Sequence, residues 1–201
     1  MIVPAVALRA PSSAGLPALL LRPWREEDVP ALVEACRDPA MRRWIHQRAD
    51  DGAEGLRWLE EQRRGWASGV RFAFAVLEEE AAASRRLVGN AVLKMPRPDA
   101  PSSEVGYWTT AHARGRGVAP RALEALTAWA FDTFAASGLE RLDLFHQLAN
   151  EASCRVAEKC GYPLHTTVPA SPPAHPAPGH LHVRRLAALD PAVPDPRTGC
   201  R

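Results

Sequence analysis

A segment that runs from residue 104 to residue 134 constrains the fold more than any other part of the sequence. It contains a strand pattern over residues 104–110, a short loop with Gly115 and Gly117, and a long helix pattern over residues 118–134. Apolar residues recur in this helix at intervals of three and four, which marks one buried face: Leu123, Leu126, Ala130 and Phe134. A strand that passes through a glycine loop directly into an amphipathic helix predicts a domain of mixed α and β structure.

The rest of the sequence alternates strand and helix patterns around a single hydrophobic core. Strands are predicted over residues 19–21, 72–77, 87–95, 139–145 and 181–186, and helices over residues 26–36, 53–67 and 151–159. The chain has 201 residues and no internal repeat, so we expect one domain over residues 19–189. Residues 1–18 are expected to form an irregular lead-in, residues 163–178 a proline-rich loop with little regular pairing, and residues 190–201 a loose tail.

The composition argues against several classes of function. The 25 basic and 23 acidic side chains give a formal net charge of +2, which is small for a protein that binds nucleic acid through counterion release. The longest apolar run, from Leu16 to Leu21, contains a proline. It is far shorter than the roughly 20 residues of a membrane span. The N-terminus lacks the pattern of a signal peptide, so we expect a cytoplasmic protein.

The cysteines and histidines show no spacing that is typical of a metal site. The four cysteines are Cys36, Cys154, Cys160 and Cys200. They form no CxxC pair, and we interpret them as reduced thiols. His175, His180 and His182 have no cysteine or carboxylate companion at the spacing of metal ligands. We therefore predict no bound metal.

The start of the predicted long helix has the features of an anion site. No Ser, Thr, Asp or Asn lies between Gly115 and Ala119, so no side chain caps the first amides of the helix, which lack intrahelical acceptors. Pro120 fits the first turn, where its missing N–H costs nothing. Uncapped amides of this kind bind phosphate or pyrophosphate. Three arginines flank the loop and can add positive charge: Arg114, Arg116 and Arg121. The alternative is that the glycines only form a tight turn and that the arginines are solvated.

The loop sequence Arg114-x-x-Gly117-x-Ala119 matches the (Gln/Arg)-x-x-Gly-x-(Gly/Ala) acetyl-CoA loop of the GNAT superfamily of N-acetyltransferases. Further blocks follow in the order of the branch typified by the RimJ/RimL ribosomal-protein N-terminal acetyltransferases: Arg22-Pro-Trp-Arg-Glu-Glu-Asp28, Asp38-Pro39 followed by Trp44, Val88-Gly89, Val105-Gly-Tyr-Trp108, Asn150-Glu-Ala-Ser153 and Val156-Ala-Glu-Lys-Cys-Gly-Tyr162. Over residues 19–165 the chain therefore resembles this branch. The resemblance implies an α+β fold of the α/β/α sandwich type, with a mixed, largely antiparallel sheet flanked by helices.

The same resemblance implies that acetyl-CoA binds beside two splayed strands and that the acetyl group passes directly to an amine. Backbone groups of Trp108, Thr109 and Thr110 would pair with the pantetheine arm as an added strand. Asn150 would hydrogen-bond the cosubstrate near its reactive end. The pyrophosphate would be held by the loop and the first helical turn, which comprise Arg114, Gly115, Arg116, Gly117, Val118 and Ala119.

Two residues are candidates for proton transfer. Ser153 aligns with the serine used in the RimJ/RimL-like branch, and the resemblance implies that it stabilises the departing thiolate and contacts the cosubstrate; alternatively, it bonds its own backbone. Glu104, at the start of its strand, is the candidate general base, acting through a water, or else it is a solvated edge carboxylate. Many relatives have a tyrosine where this sequence has Ala157. Tyr107 and Trp108 point to opposite faces of their strand, so one is expected in the core and the other in the cleft.

The absence of a strong base favours an acceptor amine of low pKa. A chain-terminal α-amine has a pKa of about 7.7–8.0, against about 10.4 for lysine. Deprotonating lysine at neutral pH therefore costs about 3.4 kcal/mol more. We expect a protein or peptide N-terminus as the acceptor, with a small amine such as an antibiotic, polyamine or amino acid as the alternative. A third hypothesis is a regulator that binds acyl-CoA without catalysis. We expect a monomer or homodimer, with neither nucleic acid nor membrane as a partner.

Overall fold

One eight-stranded sheet forms the centre of the protein. The computed structural model describes residues 6–13, 15–44, 49–79, 84–172 and 176–186. The strands are β1 (Leu8–Ala10), β2 (Leu19–Pro23), β3 (Arg71–Glu79), β4 (Arg85–Lys94), β5 (Ser102–Thr109), β6 (Arg141–Gln147), β7 (Leu164–Val168) and β8 (Gly179–Arg185). Their order in the sheet is β1-β2-β3-β4-β5-β6-β8-β7. Every neighbouring pair is antiparallel except β5 and β6, which are parallel. The expected mixed, largely antiparallel sheet is confirmed.

Helices cover both faces of this sheet. The helices are α1 (Val29–Cys36), α2 (Pro39–Trp44), α3 (Gly52–Ser68), α4 (Val118–Phe134) and α5 (Glu151–Lys159). Phe72 and Phe74 of β3 pack in a hydrophobic cluster with α4 and α5. The intervening Ala73 and Ala75 pack in a second cluster with α1, α2 and α3. Successive side chains of a strand point to opposite faces, so a strand that is covered on both sides carries an unbroken apolar run. No helix in the described ranges has the length and apolarity that a bilayer crossing requires.

The two parallel strands diverge along their length. The pairing between β5 and β6 ends at Val105 and Leu144. Beyond that point β5 stays paired with β4 as far as Thr109, and β6 stays paired with β8 as far as Gln147. Each strand therefore keeps its other neighbour, β4 for β5 and β8 for β6. The sides of β5 and β6 that face each other are no longer paired. The result is a gap in the middle of the sheet, bordered by the C-terminal halves of β5 and β6.

Two short edge strands were missed by the sequence patterns. The expected irregular lead-in contains β1, which pairs with β2, and the expected loop over residues 163–178 contains β7, which pairs with β8. Four of the five residues of β7 are exposed, so its sequence shows no alternation of apolar and polar residues. The β1 strand has only three residues, which is too short for a periodic signal. His175 and the expected tail over residues 190–201 lie outside the described residues.

Candidate active site

A hydrogen bond joins the two sides of the gap between β5 and β6. The hydroxyl of Tyr107, on β5, donates to the Oγ atom of Ser153, in the first turn of α5, at 3.2 Å. Burial raises the pKa of Tyr107 to about 12, so its hydroxyl stays protonated at neutral pH and remains the donor. Because Ser153 accepts this bond, its own hydroxyl proton is available to a third group. The sequence predicted Ser153 but assigned no chemical role to Tyr107.

Asn150 holds the N-terminus of α5 in place. It is the N-cap residue of this helix, and its Oδ1 atom accepts the backbone N–H of Ser153 at 3.3 Å. An N-cap oxygen of this kind satisfies one of the free amides of the first turn. The side-chain NH₂ group donates no hydrogen bond to the part of the chain that the structure describes, and it is the part of Asn150 that can contact a ligand. Asn150 and Ser153 therefore lie together at the helix start, as the sequence predicts.

The start of α4 presents an arc of free backbone amides. Gly115 and Gly117 adopt left-handed conformations, with φ of 74° and 72°, and Gly117 is the N-cap of α4 without a side-chain capping bond. Among the described residues, no N–H from Gly115 to Ala119 donates a hydrogen bond to another group of the chain. A Cβ at Gly115 would meet nothing within 4 Å, and one at Gly117 would meet only Leu16 Cδ1, at 3.6 Å. The arc is open to an anion on the side of Gly115.

Two of the three arginines near this loop, Arg114 and Arg116, are already paired with carboxylates, which differs from the expectation that all three add charge to the anion site. Arg114 forms an ion pair with Asp38. Arg116 donates to both oxygens of Glu78, at 2.7 and 2.9 Å, and the side chain of Glu78 is only 7% exposed. The carboxylates neutralise both guanidinium groups and fix the loop against α1 and β3.

Arg121 differs from the other two because its partners are neutral. Its guanidinium donates to the backbone carbonyls of Ala10, Pro11 and Pro17 at 3.3, 2.7 and 2.9 Å. These bonds fasten the first turn of α4 to the N-terminal segment but leave the positive charge uncompensated by a direct carboxylate partner. Of the three arginines, Arg121 is therefore the one whose hydrogen-bond partners are all neutral carbonyls.

Comparison with known sequences decides the family. The sequence profile of the acetyltransferase (GNAT) domain matches residues 18–163. The chain belongs to the GNAT acetyltransferase family. It is an acetyltransferase by this membership, and no curated protein matches its sequence.

Solved structures of other acetyltransferases share the fold of this GNAT acetyltransferase. RimJ of Mycobacterium smegmatis, in complex with CoA-disulfide, has a TM-score of 0.73 and 18% identity over 92% of this chain and 88% of that chain. The ribosomal-protein-S5-alanine acetyltransferase of Vibrio fischeri has a TM-score of 0.70 and 16% identity, over 86% and 96% of the two chains. The Salmonella typhimurium enzyme that modifies the N-terminal serine of ribosomal protein L7/L12 has a TM-score of 0.70 and 17% identity, over 86% and 96%.

In this GNAT acetyltransferase the backbone groups of β5 that face away from β4 belong to alternate residues, and one of them, the Thr109 carbonyl, accepts a hydrogen bond from Arg114 Nη2 at 3.5 Å. Thr110 donates its N–H to the carbonyl of Val88 on β4, at 3.0 Å. Alternate residues of an antiparallel pair direct their backbone groups to opposite sides, so Trp108 also faces β4, whereas Tyr107 and Thr109 face the gap. Of the three residues that were expected to pair with pantetheine, only Thr109 is placed to do so. The side chain of Trp108 packs in the cluster with α1, α2 and α3.

Glu104 lies apart from the other candidate residues of the GNAT acetyltransferase. It lies in the part of β5 that is still paired with β6, opposite Asp143. Its carboxylate forms an ion pair with Lys94 Nζ at 2.5 Å, and its side chain is 47% exposed. Glu104 and Tyr107 are three positions apart, so the two side chains point to opposite faces of the sheet about 10 Å apart along the strand. The structure does not bring Glu104 and Ser153 together, and the role of Glu104 as base remains a prediction.

His112 lines a surface cleft next to the loop that contains Gly115 and Gly117. This cleft has a volume of about 550 Å³ and includes Asp38, Arg86 and Thr110. The Nε2 atom of His112 lies 3.3 Å from the Oγ1 atom of Thr110. Burial and the charges of Arg86 and Arg116 lower the pKa of His112, which keeps its ring neutral at physiological pH. Arg86, from β4, and Arg116, from the loop, come close to this ring only in the folded chain.

A second group of polar side chains lies beneath α5, on the opposite side of β6 from the gap. His146, Cys154, His180 and His182 each have one nitrogen or sulfur atom within 4.8 Å of those of the other three. The expectation that His180 and His182 lack a cysteine companion is therefore wrong. His146 and Cys154 are more than 25 residues distant from these histidines in the sequence, and only the fold brings the four together. Sequence spacing thus gave no ground for excluding a metal.

Proposed function

We propose that this GNAT acetyltransferase binds acetyl-CoA in the gap between β5 and β6 and transfers the acetyl group directly to the α-amine of a protein or peptide N-terminus. The observation that carries the proposal is the hydrogen bond from Tyr107 to Ser153. It places a hydroxyl with a free proton at the point where the two strands part. The free amides from Gly115 to Ala119 supply the anion site that a diphosphate requires.

Four residues of the chain have separate roles in the proposed transfer. Tyr107 donates to Ser153 Oγ and fixes its rotamer, and Ser153 donates its own proton to the sulfur that departs from the thioester. The N-terminus of α5 points to the same region, and its dipole stabilises negative charge on that sulfur. Asn150 holds this helix start through its side-chain oxygen and offers its NH₂ group to the pantetheine arm. Thr109 offers backbone groups to the same arm on the β5 side.

The acceptor must lose a proton to become nucleophilic, and the site offers only weak bases. Glu104 is the candidate, acting through a water, but its carboxylate is already paired with Lys94 Nζ and lies away from Ser153. An amine with a pKa near ~8 is partly neutral at physiological pH, whereas a lysine amine is almost fully charged. The proposal of an α-amine acceptor rests on this difference. The names of two structural relatives, which refer to an S5 alanine and to an N-terminal serine, support the same choice.

Thiol release from acetyl-CoA tests the proposal. The acceptors are a peptide that begins with Ser or Ala and lacks lysine, and the same peptide with a blocked N-terminus and one internal lysine. We expect CoA release with the first peptide and little with the second, and mass spectrometry should locate the acetyl group on the α-amine. Equal rates for both peptides would exclude α-amine selectivity. Binding of acetyl-CoA without turnover for any amine would overturn the proposed activity.

A small amine is the second candidate acceptor, and the cleft beside His112 favours it. A volume of about 550 Å³ lies within the usual range of small-molecule sites, about 300–1,000 Å³. The lining includes Glu34 and Asp38 but also Arg37 and Arg86. Both carboxylates are paired with arginines, so the volume of the cleft and not its charge supports this candidate. A panel of polyamines, amino acids and aminoglycosides, assayed beside the peptides, distinguishes the two candidates by their relative kcat/KM.

A further inference from the structure

Four side chains from three elements form a compact group, here called the His–Cys cluster: His146, Cys154, His180 and His182. Their ligand atoms all lie within 4.8 Å of one another. His146 on β6 is directly opposite His180 on β8. His182 follows two residues later and therefore projects from the same face of the sheet. Cys154 reaches the group from α5, which covers that face.

Backbone hydrogen bonds fix the orientation of two of the rings. His146 Nδ1 lies 2.9 Å from the carbonyl of Gln147, and His182 Nδ1 lies 2.9 Å from the carbonyl of Tyr162. A carbonyl oxygen only accepts, so each Nδ1 must carry the proton and donate it. In the neutral rings the lone pair then resides on Nε2. This Nδ1–H to carbonyl arrangement is the one that orients histidine ligands in metal sites.

The two lone pairs point to each other. The Nε2 atoms of His146 and His182 are 3.2 Å apart, and neither ring has a second proton to place between them in its neutral form. Two facing lone pairs at this distance repel unless a cation lies between or beside them. A shared proton would satisfy two acceptors only. Here a sulfur and a third imidazole approach the same point, which indicates a cation of higher coordination number.

Two of the distances between ligand atoms match those of a tetrahedral zinc centre. Bond lengths of about 2.3 Å to sulfur and about 2.0–2.1 Å to nitrogen place tetrahedral ligand atoms about 3.3 Å apart for two nitrogens and about 3.6 Å apart for sulfur and nitrogen. The two Nε2 atoms are 3.2 Å apart, and Cys154 Sγ lies 3.6 Å from His182 Nε2. The contact from Cys154 Sγ to His180 Nδ1 is 3.9 Å. The remaining pairs of ligand atoms lie up to 4.8 Å apart, so metal binding would draw the outer atoms inward by about 1 Å.

We propose that the His–Cys cluster binds one Zn²⁺ ion in a closed, structural site. Three imidazole nitrogens and one thiolate are the ligands that Zn²⁺ prefers over harder divalent cations. Binding removes the thiol proton of Cys154, which leaves to solvent, and forms four metal–ligand bonds without a redox step. Four protein ligands leave no open position for a water or a substrate, so the ion has a structural role.

The position of the cluster explains what the ion would stabilise. Cys154 directly follows Ser153 in α5, whereas His146, His180 and His182 belong to the central strands β6 and β8. The ion would therefore fix the first turn of α5 to the sheet, and with it the side chain that contacts Tyr107. This inference concerns the metal alone and does not depend on the acceptor or on the proposed acetyl transfer.

Metal content and a cobalt spectrum test the site directly. Untagged, full-length protein is stripped with a chelator, checked for folding by circular dichroism, and titrated with Zn²⁺ against a chromophoric chelator. We expect one Zn²⁺ per chain and a higher Tm in its presence. Replacement by Co²⁺ should give the intense visible bands of a tetrahedral centre together with a thiolate-to-cobalt charge-transfer band in the near ultraviolet.

Substitutions at the two half-buried ligands, Cys154 and His180, test whether these residues bind the ion. Cys154→Ser should abolish the thiolate band, and Cys154→Ser and His180→Gln should each lower Zn²⁺ affinity by roughly 100-fold or more. His165→Gln, at an exposed histidine of β7, and Cys36→Ala, in the other hydrophobic cluster, are the matched controls and should bind as the unaltered chain does.

Two results would overturn the site. One is a folded, stripped chain that takes up no Zn²⁺ at ten times its own concentration. The other is a Co²⁺ complex without a thiolate band whose affinity is the same in Cys154→Ser. The cobalt spectrum of the unaltered chain decides the question even where a variant fails to fold.

Discussion

The hydroxyl of Tyr107 donates a hydrogen bond to the Oγ atom of Ser153 at 3.2 Å, across the gap where β5 and β6 part. The two residues are 46 positions apart in the sequence, and each lies on an element that borders the gap. This bond orders Ser153 so that its own proton points away from Tyr107. It is the geometric basis for assigning proton donation to Ser153.

Ser153→Ala should lower kcat and leave acetyl-CoA affinity nearly unchanged, because the hydroxyl acts on charge that develops during transfer. We expect a decrease in kcat of about 10- to 100-fold, at the lower end of what a positioned proton donor contributes. Steady-state kinetics by thiol release gives both constants. Ser68→Ala is the control, since Ser68 bonds only Gly65 in α3. An unchanged kcat would remove Ser153 from the reaction.

Tyr107→Phe should lower kcat by about 10-fold or less. This substitution removes the hydrogen bond that holds Ser153 in one rotamer, but it leaves the hydroxyl of Ser153 in place to donate its proton. The double variant Tyr107→Phe with Ser153→Ala should be no slower than Ser153→Ala alone. The double-variant cycle measures this coupling. Strictly additive effects on kcat would mean that Tyr107 acts independently of Ser153.

Gly117→Glu should abolish measurable acetyl-CoA binding, because it adds negative charge and bulk to the amide arc. The left-handed φ of 72° disfavours any side chain there, so Gly117→Asn is the matched control. Asparagine tolerates this conformation, and this variant should keep most of the affinity. Calorimetry with CoA measures both. Comparable losses in the two variants would attribute the effect to backbone strain, and no loss in Gly117→Glu would refute the phosphate site.

Arg116→Ala should reduce stability more than it reduces acetyl-CoA affinity. It leaves the buried carboxylate of Glu78 without its partner, and an unpaired buried charge typically costs about 3–5 kcal/mol, less here because Arg116 is partly exposed. Glu78→Gln in the same chain should restore much of the loss. Urea unfolding provides the free energies. A large rise in the Kd for CoA with unchanged stability would show that Arg116 contributes to the anion site.

Stability should fall steeply as the pH rises above about 9. Burial raises the pKa of Cys160 to about 12, and burial raises that of Tyr162 as well, so the folded chain keeps protons that the unfolded chain loses near pH 9 to 10. The contribution of Cys160 is fully present below pH 9 and is lost between pH 9 and about 12. Cys160→Ala should flatten the loss of Tm over this range, and an unchanged slope would exclude Cys160 as its cause.

Elements with strong local signals were predictable from the sequence. The bounds of α4 and α5 agree with the predicted ranges, because α4 has a long apolar period and α5 begins at the cap Asn150. The edge strands β1 and β7 were not predictable. They are short, and pairing with their single neighbours, rather than an apolar pattern, defines them.

The site was predictable only where its residues are close in the sequence. The free amides after Arg114 follow from the absence of capping residues, which the sequence shows directly. The partners of Arg114 and Arg116 were missed because Asp38 and Glu78 are 76 and 38 positions away. The His–Cys cluster was missed for the same reason. Contacts of this kind depend on strand order and register, which no local pattern encodes.

A crystal structure of the full chain with acetyl-CoA tests the central claim most directly. We expect the diphosphate oxygens within hydrogen-bond distance of the N–H groups between Gly115 and Ala119, and the thioester sulfur beside Ser153 Oγ. A diphosphate bound elsewhere, with the start of α4 still open to solvent, would contradict this claim.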